Sequence, residues 1–171
     1  HEIKLVDKAG AEVPAGVEGE IVSRGPEMCL GYADPAHNEA FDGDGYFHTG
    51  DLAMLTEDDC LVITGRSKDL IIRGGENLSP REVEDALHEI PAVYEAAVVA
   101  MPHARLGETG CAYIVLEEGA SLTFDEMVAS LDKTGMAKQK QANRLEIIDE
   151  FPRTPAGKIR KNVLRQRIAA E

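Results

Sequence analysis

Residues 69–100 read DLIIRGGENLSPREVEDALHEIPAVYEAAVVA, and the order of signals within them decides the fold. Leu70, Ile71 and Ile72 form a short apolar run that reads as a strand, ended by Gly74 and Gly75. Glycine tolerates positive φ or a close backbone approach, so a tight hairpin turn is the plain expectation there. Ser79-Pro80-Arg81-Glu82 is a capping-box pattern with proline at the first helical position. Val83, Ala86, Leu87 and Ile90 follow at helical spacing and give one apolar face, and Pro91 stops the helix. Val93 to Ala100 then reads as a second, longer strand.

Working toward the C-terminus, Cys111 to Leu116 is another strand. Thr123-Phe124-Asp125-Glu126 is a second capping box, and its helix carries Phe124, Met127, Val128 and Leu131 on one face before Gly135 ends it. Leu145 to Ile148 reads as a short strand, and a last helix covers about Val163 to Ala169. Counted from a strand at Cys60 to Thr64, the elements run ββαββαβα. That order predicts an α+β domain of about 100 residues, helices packed on a small mixed sheet.

Toward the N-terminus the signals thin out. Ile3, Leu5, Ile21 and Val22 are strand-like, with a turn at Asp7 to Gly10 between them. Pro26 to Gly45 is loop-like, and Glu57, Asp58 and Asp59 suggest a turn before the strand at 60–64. Few apolar residues fall in each element and no long helix is indicated. This half reads as β-rich and too thin for a complete domain.

The 171 residues suffice for one to two domains, and 43% hydrophobic with 29% charged residues is the composition of an ordinary soluble protein. No apolar run approaches the roughly 20 residues of a bilayer span. Cys29, Cys60 and Cys111 make neither a disulfide framework nor a zinc pattern, so a reducing, cytoplasmic setting is expected. A net charge of −13 argues against nucleic acid and anionic membranes as partners. The charge is uneven. Residues 1–64 carry 14 acids and 3 lysines or arginines, whereas six bases crowd into 153–167: Arg153, Lys158, Arg160, Lys161, Arg165 and Arg167. A local basic segment on an acidic chain suits a small anionic ligand; the bland alternative is a solvated helix end.

Three segments stand out by their density of Gly, Lys, Arg and Asp: YFHTGD at 46–51, the run from Gly65-Arg66-Ser67-Lys68-Asp69 through Gly74-Gly75-Glu76-Asn77 to Glu84, and PRTPAGKIR at 152–160. Asp51 follows a glycine turn just before an expected strand; its carboxylate can accept the two hydrogen bonds of a ribose diol, or merely stabilise a turn. Arg66 offers a rigid fork of donors for phosphate or ribose oxygens, or for a surface salt bridge. Lys158 lies in a loop punctuated by proline and glycine and flanked by bases. Asp42-Gly43-Asp44-Gly45 lacks EF-hand spacing and reads as a turn. His37, His48, His88 and His103 lack metal-ligand spacing, so no metal site is expected in this chain.

In this order and spacing the three segments resemble the adenylate-forming superfamily: acyl-CoA synthetases, peptide-synthetase adenylation domains and firefly luciferase. The resemblance extends over essentially the whole chain. It implies that Asp51 holds the ribose hydroxyls of ATP, that Arg66 contacts the ribose and phosphate region, and that Lys68 is a hinge. It also implies that the loop at Gly74 and Gly75 lines the channel for the CoA pantetheine arm. Lys158 falls at the family's catalytic lysine for adenylation. An ammonium about 4 Å from a phosphate or carboxylate oxygen is worth on the order of 4 kcal/mol at an effective dielectric of about 20, which eases the meeting of two anions.

The resemblance further implies residues 1–65 as the β-rich end of a large N-terminal domain and residues 66–171 as a mobile α+β C-terminal domain. The expected activity is that of an acyl- or aryl-CoA synthetase, an acid–thiol ligase using ATP/AMP, CoA and Mg2+. Its partners would be a small-molecule carboxylic acid, ATP, CoA and its own N-terminal domain. The phosphate loop, the magnesium ligands and the acyl pocket of the family do not occur here, so the chain alone is expected to be inactive. Alternatives are a peptide-synthetase-type adenylation domain, a fatty acyl-AMP ligase and, from another class, a non-catalytic nucleotide- or CoA-binding module.

Overall fold

The computed structural model describes residues 1–169. The chain divides into two compact units, His1–Lys68 and a second that begins at Asp69. In the first, β1 (Glu2–Val6), β2 (Glu18–Arg24), β3 (Phe47–Leu55) and β4 (Leu61–Arg66) form a four-stranded sheet in chain order, every neighbour antiparallel. The turns are where acids and glycines put them. Asp42 accepts hydrogen bonds from the backbone N–H of Asp44 (3.0 Å) and of Tyr46 (2.8 Å), the side-chain turn expected of an Asp-Gly run. Asp59 closes the β3–β4 connection with φ of 57°. Within the expected loop, Pro35–Ala40 winds into a short 3-10 helix capped by Asp34.

One expectation needs correction. Asp51 does not precede a strand; it lies inside β3, which starts at Phe47. Gly50, with φ of 74°, interrupts the alternation that would have revealed that strand. The core of this unit is small. Val6, Val22 and Tyr46 cluster, and Leu52 and Ala53 are buried. Leu61, Val62 and Ile63 stay 42–46% exposed along β4.

The second unit comprises β5 (Ile71–Arg73), β6 (Glu76–Leu78), α1 (Pro80–His88), β7 (Val93–His103), β8 (Gly107–Leu116), α2 (Phe124–Lys133), β9 (Arg144–Ile147) and α3 (Lys161–Ala169). Its strands run in the order β6-β5-β8-β7, with β9 parallel to β8 and the other pairs antiparallel, so the sheet is mixed as expected. The letters ββαββαβα hold for this unit, but with a different first pair. The strand at 60–64 belongs to the sheet of the first unit, and β6, unannounced in sequence, supplies the missing member. Three residues with one buried side chain, Leu78, are too few to show a period.

Residues 96–99 and 111–114 form continuous apolar runs because the sheet is covered on both faces. Ala96, Val98, Ala112 and Ile114 pack with Val83 and Leu87 of α1 and Met127 and Leu131 of α2. Their neighbours Ala97, Val99, Cys111 and Tyr113 point the other way, onto Leu164 and Ile168 of α3 and onto Phe151. Fully burying each large aliphatic side chain contributes about 1.5–3 kcal/mol, so these two clusters hold the unit together.

The two capping boxes part company. At α2 both halves form: Thr123 accepts from the Glu126 N–H, and the Glu126 carboxylate accepts from the Thr123 N–H at 2.8 Å. At α1 the Ser79 side chain makes no capping bond, and Glu82 instead binds the Lys140 ammonium at 2.8 and 2.9 Å. A partner distant in sequence has outbid the local one.

Candidate functional site

Asp51 and Arg66 face each other as partners on β3 and β4. Arg66 Nε lies 2.7 Å from Asp51 Oδ1, and Arg66 also reaches the Thr49 carbonyl at 3.5 Å. Both side chains remain open to solvent, Asp51 at 37% and Arg66 at 60%. The strand around them is shaped by three residues not singled out from the sequence. Thr49 Oγ1 donates to the Ile21 carbonyl at 2.8 Å and accepts from the Asp51 N–H at 3.1 Å. Glu20 Oε1 accepts from the Gly50 N–H at 2.9 Å, while its other oxygen pairs with His48 Nδ1 at 3.0 Å. Ser67 Oγ donates to the Gly50 carbonyl at 3.2 Å. Gly50 has φ of 74°, which an L side chain rarely adopts, so the kink that presents Asp51 needs glycine. Thr49 and Gly50 adjoin Asp51 and could have been suspected. Glu20 lies 30 residues upstream of Gly50 and emerges only through strand register.

Lys68 lies in a 3-10 turn, Ser67–Asp69, with its side chain exposed, and it is the last residue of the first compact unit. Asp69, the next residue, is tied by an ion pair to Arg165 of α3.

Gly74 and Gly75 form the two-residue loop between β5 and β6, with Arg73 opposite Glu76. Their φ values of 61° and 90° are those of a hairpin turn whose twist matches its strands. The Gly74 N–H donates to the Leu106 carbonyl at 2.8 Å. A Cβ at Gly75 would meet nothing within 4 Å, so that side of the turn is open.

Lys158 ends a tight turn. The Gly157 N–H donates to the Thr154 carbonyl (2.9 Å), and the Thr154 N–H to the Lys158 carbonyl (2.8 Å). The Lys158 N–H also donates to Thr154 Oγ1 at 3.1 Å. Gly157 sits at φ of 82°. The backbone of Lys158 is thus fixed, while its side chain is exposed and makes no ion pair to any described residue. Of the other five bases in 153–167, the fold pairs three, while Arg160 and Arg167, like Lys158, have no ion pair among the described residues. Arg153 pairs with Glu95, Lys161 with Glu84 and Arg165 with Asp69.

The structure therefore joins Asp51 to Arg66 within the first unit, and carries Gly74, Gly75 and Lys158 in the second. Among the described residues no group of three or more His, Cys, Asp or Glu side chains could hold a metal ion. None of their helices is long and apolar enough to cross a membrane.

An exposed lysine on a glycine turn and a facing Asp/Arg pair are groups suited to anions and hydroxyls, a broad class of ligand. Comparison narrows the class. Residues 82–158 match the family described as the AMP-binding enzyme C-terminal domain. The chain is 46% identical, over 98% of its length, to the medium-chain fatty-acid–CoA ligase of Escherichia coli, of which it covers 30%. It is 39% identical, over 97% of its length, to the vibriobactin-specific 2,3-dihydroxybenzoate-AMP ligase of Vibrio cholerae, covering 31% of it. ATP-bound MatB from Rhodopseudomonas palustris superimposes with a TM-score of 0.91 at 37% identity, over 97% of this chain and 33% of that one. Residues 82–158 carry the AMP-binding enzyme C-terminal domain, and the chain as a whole is similar to adenylate-forming AMP-binding enzymes. It spans about a third of the length of the relatives it matches.

Proposed function

We propose that this chain is part of an acyl- or aryl-CoA synthetase, an acid–thiol ligase. In the first half-reaction a carboxylate attacks the α-phosphate of ATP, giving an acyl-adenylate and pyrophosphate. In the second, the CoA thiol attacks the acyl carbon, giving the thioester and AMP. Lys158 serves the first. Its ammonium screens the repulsion between carboxylate and triphosphate and stabilises the charge that develops as the P–O bond forms. The turn at 154–158 carries this reading: its hydrogen bonds fix the backbone of Lys158, and with Arg153, Lys161 and Arg165 paired to Glu95, Glu84 and Asp69, the exposed Lys158, with Arg160 beside it, is open to an anion.

Asp51 uses Oδ1 for Arg66, which leaves Oδ2 to accept from a ribose hydroxyl. Arg66 keeps donors for the ribose or phosphate oxygens. We read residues 1–65 as the end of a large N-terminal domain and residues 66–171 as a domain that turns about Lys68 between the half-reactions. The turn at Gly74 and Gly75 serves the second half-reaction, where its open side would admit the pantetheine arm. The similarity to a fatty-acid–CoA ligase supports CoA as the thiol. Among the described residues no side-chain cluster could hold magnesium, so its ligands would belong to the rest of the N-terminal domain.

The test is Lys158→Ala in the full-length enzyme. ATP–pyrophosphate exchange should vanish, while thioester formation from supplied acyl-adenylate persists. Equal loss of both half-reactions would refute the division of labour.

A further inference from the structure

The charges around Lys158 do more than cancel. Arg153 Nη1 donates to the Gly157 carbonyl at 2.9 Å, directly across the turn that ends in Lys158. Its Nη2 pairs with Glu95 on β7, and the Glu95 side chain is only 24% exposed. A single guanidinium therefore links the carbonyl preceding the lysine to a carboxylate fixed on the sheet. Beyond the turn, Lys161 at the start of α3 binds Glu84 at 2.7 Å, and Glu84 Oε1 also accepts from the Val98 N–H of β7 at 2.6 Å. Both ends of the Lys158 turn are thus fastened toward the same strand.

Building on the reading of Lys158 above, we propose that Arg153 and Glu95 are positioning residues for adenylation, aiming the Lys158 turn without touching substrate. The chemistry favours arginine at this place. Its planar fork can hold a carboxylate with one arm and a carbonyl with the other in a fixed relation, which a lysine ammonium on a flexible stem cannot. Precision matters here, because a displacement of about 1 Å in a reacting group can cost on the order of 100-fold in rate. The Arg160 N–H bond to the Pro152 carbonyl (2.7 Å) closes the base of the turn, and the guanidinium ties the carbonyl next to Lys158 to the sheet. The pairing with Glu95 also cancels the charge of Arg153, so it does not draw the anionic ligand away from Lys158.

The experiment uses the full-length enzyme, with both half-reactions and the melting temperature measured for Lys158→Ala, Arg153→Ala, Arg153→Lys and Glu95→Gln. Arg153→Ala should lower kcat for ATP–pyrophosphate exchange about 100-fold, and Glu95→Gln about tenfold, with KM for ATP little changed. Arg153→Lys should recover only part of the loss. Thioester formation from supplied acyl-adenylate should remain near the wild-type rate in all of them. Equal loss of both half-reactions together with a lowered melting temperature would make the pair merely structural and overturn the proposal. Unchanged exchange in Arg153→Ala and Glu95→Gln would overturn it as well. If Arg153→Ala does not fold, Glu95→Gln decides on the same criteria. Persistent exchange in Lys158→Ala would instead sink the assignment of Lys158 itself, whatever the other variants do.

Discussion

The strand pair that carries Asp51 and Arg66 and the turn that carries Lys158 treat charge in opposite ways. On β3 and β4, two candidate ligand groups face each other and are bonded at 2.7 Å. At residues 153–161, Arg153 and Lys161 are absorbed by carboxylates elsewhere in the unit, and the candidate lysine, like Arg160 beside it, has no ion pair among the described residues. A ligand arriving at the first region must share groups already engaged, though an exposed ion pair is worth only about 0–1 kcal/mol, so sharing costs little. A ligand arriving at Lys158 displaces only water. A group held in reserve in this way is suited to act at one moment of a reaction, and a mutually bonded pair to bind throughout.

That contrast sets the order of expected effects. Residues 1–171 by themselves should give no ATP–pyrophosphate exchange above background with any acid, because the proposed function assigns the rest of the nucleotide and acyl site to the large N-terminal domain. A measurable rate would break the whole reading. Lys158→Ala in the full-length enzyme should cost about 100- to 1,000-fold in exchange, the range for removing one preorganised charge-stabilising donor. Asp51→Asn should act differently. It keeps an acceptor but loses the charge, and charge-assisted hydrogen bonds are worth about 1.5–3 kcal/mol, so KM for ATP in exchange and KM for acyl-adenylate in thioester formation should each rise by about tenfold or more. If Asp51→Asn lowered kcat with KM unchanged, the distinction between a binding pair and a reserved cation would fail.

The legibility of these regions in sequence also differs. Every described α-helix, and the long strands β7 and β8, could be read because burial on one face of a helix, or on both faces of a strand, writes itself as apolar spacing. The strand β3 was hidden by Gly50, whose positive φ breaks the alternation at the very place where the site lies. The candidate residues Asp51, Arg66 and Lys158 stood out by motif, yet nothing local announced which charges would pair with one another. Glu95 precedes Arg153 by 58 residues and Glu20 precedes Gly50 by 30, and such pairs exist only once the fold brings them together.

The smallest effects test the same distinction, between groups engaged locally and groups engaged at a distance, at two helix starts. Thr123→Ala removes the hydroxyl of a formed capping box and should cost about 1 kcal/mol of stability in the second unit. The Glu126 carboxyl is held below its ordinary range, first by the backbone N–H of residue 123 and then by the Thr123 hydroxyl. A folded value below the unfolded one means that the carboxylate stabilises the fold above the unfolded value. That contribution is lost as pH falls through the folded one. The gap between wild type and Thr123→Ala should therefore narrow on acidification through the lower carboxylate range, measured by denaturant unfolding at fixed salt. Glu82→Gln at the start of α1 breaks an exposed pair with Lys140 instead, worth about 0.2–1 kcal/mol, and added salt should shrink its cost by screening. If salt erased the cost of Thr123→Ala and left that of Glu82→Gln intact, the assignment of a local cap to α2 and a distant ion pair to α1 would be reversed.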